Sequence, residues 1–146
     1  MRNYKSDSLD TKLIELLTQD ANQTGDVIAK KLNVSPATIR RRKQQLIKRG
    51  VIRIAAITDA DKTGYPLKAV IALDIEHNKL TEAMEKLVNR PEVKWLSATS
   101  GRYDFMASVW LKSTDALYEF METEVASLDG LKNTETFICL RVAKHF

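Results

Sequence analysis

The chain has 146 residues, 44% hydrophobic and 29% charged, with a formal net charge of +4 and a single cysteine, Cys139. That length allows one domain or two small ones, the composition is globular rather than disordered, and one cysteine excludes a disulfide framework or a cysteine-built zinc cluster. No apolar run approaches the roughly 18 residues that span a bilayer, and the opening MRNYKSDSLD has no apolar signal-peptide core, so the expected compartment is the cytoplasm.

The first helix is expected from about Ser8 to Thr18. Ser8 is a plausible cap, Asp10 suits the first turn, where the helix dipole favours an anion, and Leu9, Leu13, Ile14, Leu16 and Leu17 recur at helical spacing. A second helix is expected from a Thr24 cap to Leu32. Ile28 and Leu32 face inward, and small Ala29 lets another helix cross closely. Asn33 then tolerates the left-handed conformation of a tight turn. A third helix opens with Ser35 as cap and Pro36 as its first residue. Ile39, Leu46 and Ile47 form its apolar side, and Gly50 closes it. Two short helices meeting at a three- or four-residue turn are the helix-turn-helix pattern, whose second helix enters the major groove of DNA.

The charge agrees with that pattern. Residues 1–64 carry 13 basic and 7 acidic side chains, whereas residues 65–146 carry 10 and 12. From Val27 to Thr58 there are nine basic residues and no acidic one. Surface helices normally mix signs, so an unbalanced run points to a polyanionic partner, against the plainer alternative of a solvated face.

After Gly50, VIRIAAIT alternates weakly and suggests a strand, and DADKTGYP reads as a turn and linker. The second half follows a different pattern. LKAVIALDIE is strand-like. Leu80, Ala83, Met84, Leu87 and Val88 fall at i, i+3, i+4, i+7 and i+8 of an amphipathic helix that Arg90-Pro91 ends. VKWLSATS and YDFMASVWL form a hairpin across SGRY. Ser113 caps another helix, with Leu117, Phe120, Met121, Val125 and Leu128 inward and Gly130 at its end. A last strand puts Thr134, Thr136, Ile138, Leu140 and Val142 on one face.

The expected class is α+β, with a helix-turn-helix domain over residues 1–54, a wing or linker over 55–66, and a βαββαβ ferredoxin-like domain over 67–146. In that second domain four antiparallel strands carry both helices on one face. The other sheet face holds Met106 and Trp110 without cover, which points to a dimer through the sheet.

The chain resembles the Lrp/AsnC, or feast/famine, transcription regulators over nearly its whole length. LDTKLIELLTQDA and IAKKLNVSPATIRRRKQQLIKRGVI carry the resemblance in the first half, and SATSGRYDFMASVWL within the βαββαβ order carries it in the second. The resemblance implies a winged helix-turn-helix reader joined to a RAM-type sensor domain. It further implies homodimers that assemble into tetramers or octamers, and a small-molecule effector, commonly an amino acid, near the glycine turn and at a contact between dimers. Two positions depart from the pattern: Lys43 stands where the family has an apolar residue, and Asn22-Gln23 stands where it often has Gly-Arg.

Within this frame Ala37, Thr38, Arg40 and Arg41 are the expected base readers, because the first half of a recognition helix meets the base edges and arginine's fork matches guanine. Ser35 can cap and also offer a phosphate contact, and Arg42, Lys48 and Arg53, with Lys30 and Lys31, are expected as phosphate partners or as plain solvated charges. In the turn, Gly101 allows close approach to a ligand, nearby backbone N–H groups suit a carboxylate, and Asp104 suits an ammonium; the plainer alternative is a simple hairpin turn that Asp104 stabilises. Thr99, Ser100 and Arg102 complete the set. An architectural DNA-compacting protein is the alternative from another class. A siroheme-decarboxylase-like enzyme is a further one, with only His77 and His145 to serve it. No cofactor is expected.

Overall fold

The computed structural model describes residues 7–143; His145 and the first six residues of the opening MRNYKSDSLD lie outside the described residues. The chain divides into two compact units between Ala56 and Ile57.

The first unit holds α1 (Ser8–Gln19), α2 (Gly25–Leu32) and α3 (Pro36–Lys48). Asp7, not Ser8, caps α1, its carboxylate accepting the Asp10 N–H at 2.8 Å. Both residue types cap well, but an anion also gains from the helix dipole. Thr24 caps α2 and Ser35 caps α3, accepting from the Val27 and Thr38 N–H groups at 3.4 and 3.2 Å. Asn33 takes φ 54°, and the Val34 N–H returns to the Ala29 carbonyl at 3.1 Å. That tight return sets α3 across α2. Leu13, Leu17, Ile28, Ala29, Ile39 and Leu46 are buried together. Burying a leucine or isoleucine contributes about 1.5–3 kcal/mol each. Ile47, expected on the inward side, is 45% exposed, because it lies one residue and thus about 100° around the helix from Leu46.

The expected strand in VIRIAAIT does not form. Residues 51–58 belong to no ladder among the described residues, and Ile57 is 69% exposed. A strand needs a neighbour for its backbone groups, and the described chain supplies none there. No hairpin wing is therefore present among the described residues.

In the second unit Asp59 to Tyr65 form a turn, closed by the Tyr65 N–H on the Ala60 carbonyl at 2.8 Å. It leads into β1 (Leu67–Ile75), α4 (Leu80–Val88), β2 (Val93–Ala98), β3 (Phe105–Leu111), α5 (Thr114–Phe120) and β4 (Leu131–Ile138). Ser113 caps α5 as expected, accepting the Ala116 N–H, and α5 runs on into a π-helical turn, Met121–Val125. The sheet is antiparallel, in the order β2-β3-β1-β4, which is the split βαβ arrangement. Ile71, Leu73 and Ile75 of β1 and Phe105 and Val109 of β3 pack with Leu87 of α4 and with Phe120 and Val125 in one core. Both helices thus cover one sheet face.

The pairing puts Val70, Met106, Trp110, Trp95 and Phe137 on the opposite face, where Trp95 and Phe137 are 47% and 48% exposed. Two details of the expected pattern differ. Val88, the last residue of α4, is exposed. β4 stops at Ile138, so Leu140 is 96% exposed instead of continuing a face.

Candidate nucleic-acid interface and effector turn

Along α3 the helical repeat separates two kinds of residue. Ile39 and Leu46 point into the core. Ala37, Arg40, Arg41 and Lys48 are exposed, Thr38 is half-buried, and Ser35 and Arg53 are exposed at either side of the helix. The Ser35 and Thr38 hydroxyls lie 2.9 Å apart, which holds the first turn in a fixed geometry. Lys30 and Lys31 are exposed on α2, and Lys31 Nζ donates to Gln23 Oε1 at 2.7 Å.

Arg42 departs from the expected phosphate role. Its Nη1 donates to Asp7 Oδ2 at 2.5 Å and to Asp10 Oδ1 at 2.9 Å, and its side chain is only 23% exposed. Two carboxylates raise the guanidinium pKa above its ordinary value, Asp10 more than Asp7. Asp7 is in turn held below the usual carboxylate value by the Asp10 backbone N–H first and by Arg42 second. Helical spacing carried a signal for this, since Arg42 lies three residues after Ile39 and four before Leu46. The run of positive charge concealed it.

The two family departures have local explanations. Lys43 is half-buried, in keeping with a stem laid along the core edge and a solvated ammonium. At Asn22-Gln23 the backbone turns on side chains: the Asn22 N–H donates to Asp20 Oδ1, and Gln23 Nε2 donates to the Leu16 carbonyl, both at 2.9 Å.

The glycine turn brings together all five residues expected there. Gly101 takes φ 130°, a conformation L side chains rarely adopt. Thr99 Oγ1 donates to the Tyr103 carbonyl at 2.6 Å and the Thr99 N–H to the Asp104 carbonyl at 2.9 Å. Ser100, Gly101 and Arg102 are exposed at the tip. Asp104 has a structural role, since its Oδ2 accepts the Ile75 N–H at 2.9 Å, where the β1–β4 register slips between Asp74 and Ile75. One carboxylate oxygen is thereby committed to the protein's own backbone.

Sequence reasoning missed Tyr103 and Glu135. Tyr103 is 8% exposed and its hydroxyl donates to Glu135 Oε2. That bond to a carboxylate, and then burial, raise the Tyr103 pKa above its ordinary value. Arg102 stacks 5.4 Å from the Tyr103 ring centroid, so the ring lies beneath the turn with an arginine on it. Strand alternation in β4 was the available signal, because Glu135 falls on the open sheet face opposite Ala72.

Residues 68–146 match the family model described as the Lrp/AsnC ligand binding domain, and residues 6–53 match that of a winged helix-turn-helix DNA-binding domain. An uncharacterized HTH-type transcriptional regulator of Pyrococcus horikoshii is 35% identical, the match covering 98% of this chain and 91% of the relative. The HTH-type transcriptional regulator LrpA of the same organism is 30% identical, over 94% of this chain and 99% of its own length. Among solved structures, AsnC of E. coli superposes with a TM-score of 0.85 at 28% identity, covering 98% of this chain and 97% of that one. A transcriptional regulator of Neisseria meningitidis in complex with L-Met shares the fold at a TM-score of 0.86 and 22% identity, covering 97% and 94%.

Proposed function

The chain belongs to the Lrp/AsnC family of transcription regulators, a helix-turn-helix DNA-binding unit joined to a ligand-binding domain, and we propose that it reads duplex DNA with the outward side of α3 under the control of an amino acid held at the turn from Thr99 to Asp104. The single observation that carries the DNA half is the sorting of α3: Arg40, Arg41 and Lys48 are exposed with no acidic residue on the helix, while Ile39, Arg42 and Leu46 are turned inward. Ala37, Thr38, Arg40 and Arg41 meet base edges. Ser35, Lys48 and Arg53 meet phosphates and set the register. Arg42 is removed from that set.

For the effector, the support is the match of residues 68–146 to a ligand-binding domain and the exposed hydroxyl and guanidinium of Ser100 and Arg102 beside a glycine that leaves the backbone uncovered. The Neisseria protein of this fold was solved with L-Met, which makes methionine a natural first probe. The protein works in the cytoplasm as a homo-oligomer, a dimer or a tetramer or octamer built from dimers, and catalyses no reaction. No helix among the described residues is long and apolar enough to cross a membrane.

The test is substitution at single readers. Arg40→Ala and Arg41→Ala each lower affinity for a selected site by about 1–3 kcal/mol and relax its sequence preference, measured by fluorescence anisotropy against selected and random duplexes. Variants that discriminate as well as the wild type would remove α3 from the base-reading role.

A further inference from the structure

We propose that Arg42 is a positioning residue for DNA recognition, tying the middle of α3 to the first turn of α1 through Asp7 and Asp10 and so fixing which side of α3 faces outward. This rests on the reading of α3 as the recognition helix.

The inward stripe of α3 runs through Ile39, Arg42 and Leu46, and the two apolar members are each 1% exposed. A charge in such a stripe is costly unless it is paired. Even a paired one adds little net stability over an apolar residue of similar volume. What the ion pair contributes is direction. Apolar contacts are non-directional, whereas a planar guanidinium meets carboxylates in a restricted geometry. Both acids are themselves restrained. Asp7 accepts the Asp10 N–H through its other oxygen as the cap of α1, and the Asp10 side chain is 11% exposed.

Rotation of α3 about its own axis is the freedom that matters for reading bases. Successive residues lie about 100° apart, so a modest rotation carries Arg40 and Arg41 away from the edges they would read. The Arg42 clamp acts on that coordinate, two residues from Arg40 and adjacent to Arg41. Its charge is met inside the unit by two carboxylates, so Arg42 is not one of the phosphate contacts that set the salt dependence.

The experiment uses the full chain with Arg42→Gln, Arg42→Lys and Asp10→Asn. Each is titrated by anisotropy into a duplex enriched from a random pool by the wild-type protein, and into a random duplex, at several salt concentrations, with circular-dichroism melts alongside. Arg42→Gln and Asp10→Asn each lower the ratio of selected to random affinity about tenfold. They leave the slope of log K against log salt at the wild-type value, and Arg42→Lys recovers part of the ratio. Asp10→Asn is the sharper variant, because removing a negative charge tightens binding to both duplexes if electrostatics alone are at work. A slope about 0.9 shallower in Arg42→Gln would make Arg42 a phosphate contact and overturn the proposal, as would unchanged ratios in the folded variants. Should Arg42→Gln fail to fold, the ratios of Arg42→Lys and Asp10→Asn decide in the same way. A wild-type protein that enriches no duplex, or binds without salt dependence, sinks the reading of α3 itself and the clamp with it.

Discussion

Arg40, Arg41 and Arg42 are neighbours with the same side chain and different surroundings. The first two are exposed, while the third is held by Asp7 and Asp10. Asp104 makes the same point in the other unit. Chemically it suits an ammonium, yet one of its oxygens takes the Ile75 N–H at the β1 irregularity. Asp104→Ala therefore leaves a backbone donor of a buried residue unsatisfied and lowers stability by about 1–3 kcal/mol. Asp104→Asn, which keeps a carbonyl acceptor, costs less. Thermal melts of the two variants check this, and equal melting temperatures for both and the wild type would contradict it. Any loss of effector response in Asp104→Ala has to be read against that structural cost. Residue chemistry was legible in the sequence at this scale, and the partners that commit each residue were not. The type and spacing of Ser35 and Thr38 marked the start of a helix, and Gly101 marked a turn, and the structure has both. Asp10 lies 32 positions from Arg42, and Ile75 lies 29 from Asp104, so only tertiary packing brings these partners near.

The elements follow from caps and periodicity more closely. Thr24, Ser35 and Ser113 each accept a backbone N–H at a helix start, and these caps were readable because side-chain oxygens satisfy donors the helix cannot. Gly130 is a stronger constraint than composition suggests. Its φ is 77°, and a Cβ there would come to 3.0 Å from the Cβ atoms of Glu76 and Lys79. Its carbonyl also accepts the Glu76 N–H at 2.8 Å, so the approach cannot easily widen. Gly130→Ala lowers stability by about 1–3 kcal/mol through backbone strain and crowding together; a melt unchanged from the wild type would contradict the close approach. VIRIAAIT shows where element reading stops. Its alternation indicates backbone suited to a strand, but strand formation is a property of two segments. The π-helical turn after Phe120 likewise has no sequence signal, since the apolar spacing of Leu117, Phe120, Val125 and Leu128 fits an ordinary helix nearly as well.

At the scale of the molecule, the charge division between the halves and the one-sided sheet both concern partners. A first unit of roughly 50 residues buries only about 60% of its unfolded surface, and pairing it also matches two half-sites a helical turn apart on DNA. The open sheet face, with Trp95 and Phe137 about half exposed, is the surface we propose for that pairing. Sedimentation of the wild-type chain then reports a dimer or a multiple of it, and Trp95→Lys combined with Phe137→Lys shifts the distribution toward monomer. A wild-type monomer at micromolar concentration would contradict the proposal. Fold class was legible at this scale because the order of elements across both halves is specific even where single motifs are diffuse. Neither effector identity nor operator sequence was legible, because each depends on a molecule outside the chain.

The most direct test of a ligand-tuned DNA reader is an anisotropy titration of the full chain into a fragment of its own upstream DNA and into a random fragment at matched salt, repeated with a pool of amino acids that includes methionine. The expected result is tight binding that favours the upstream fragment, weakens linearly in log K with log salt, and shifts when the pool is added. Equal affinity for both fragments would contradict it in favour of an architectural DNA-compacting protein, and no binding at low salt would separate the basic face of α3 from DNA altogether.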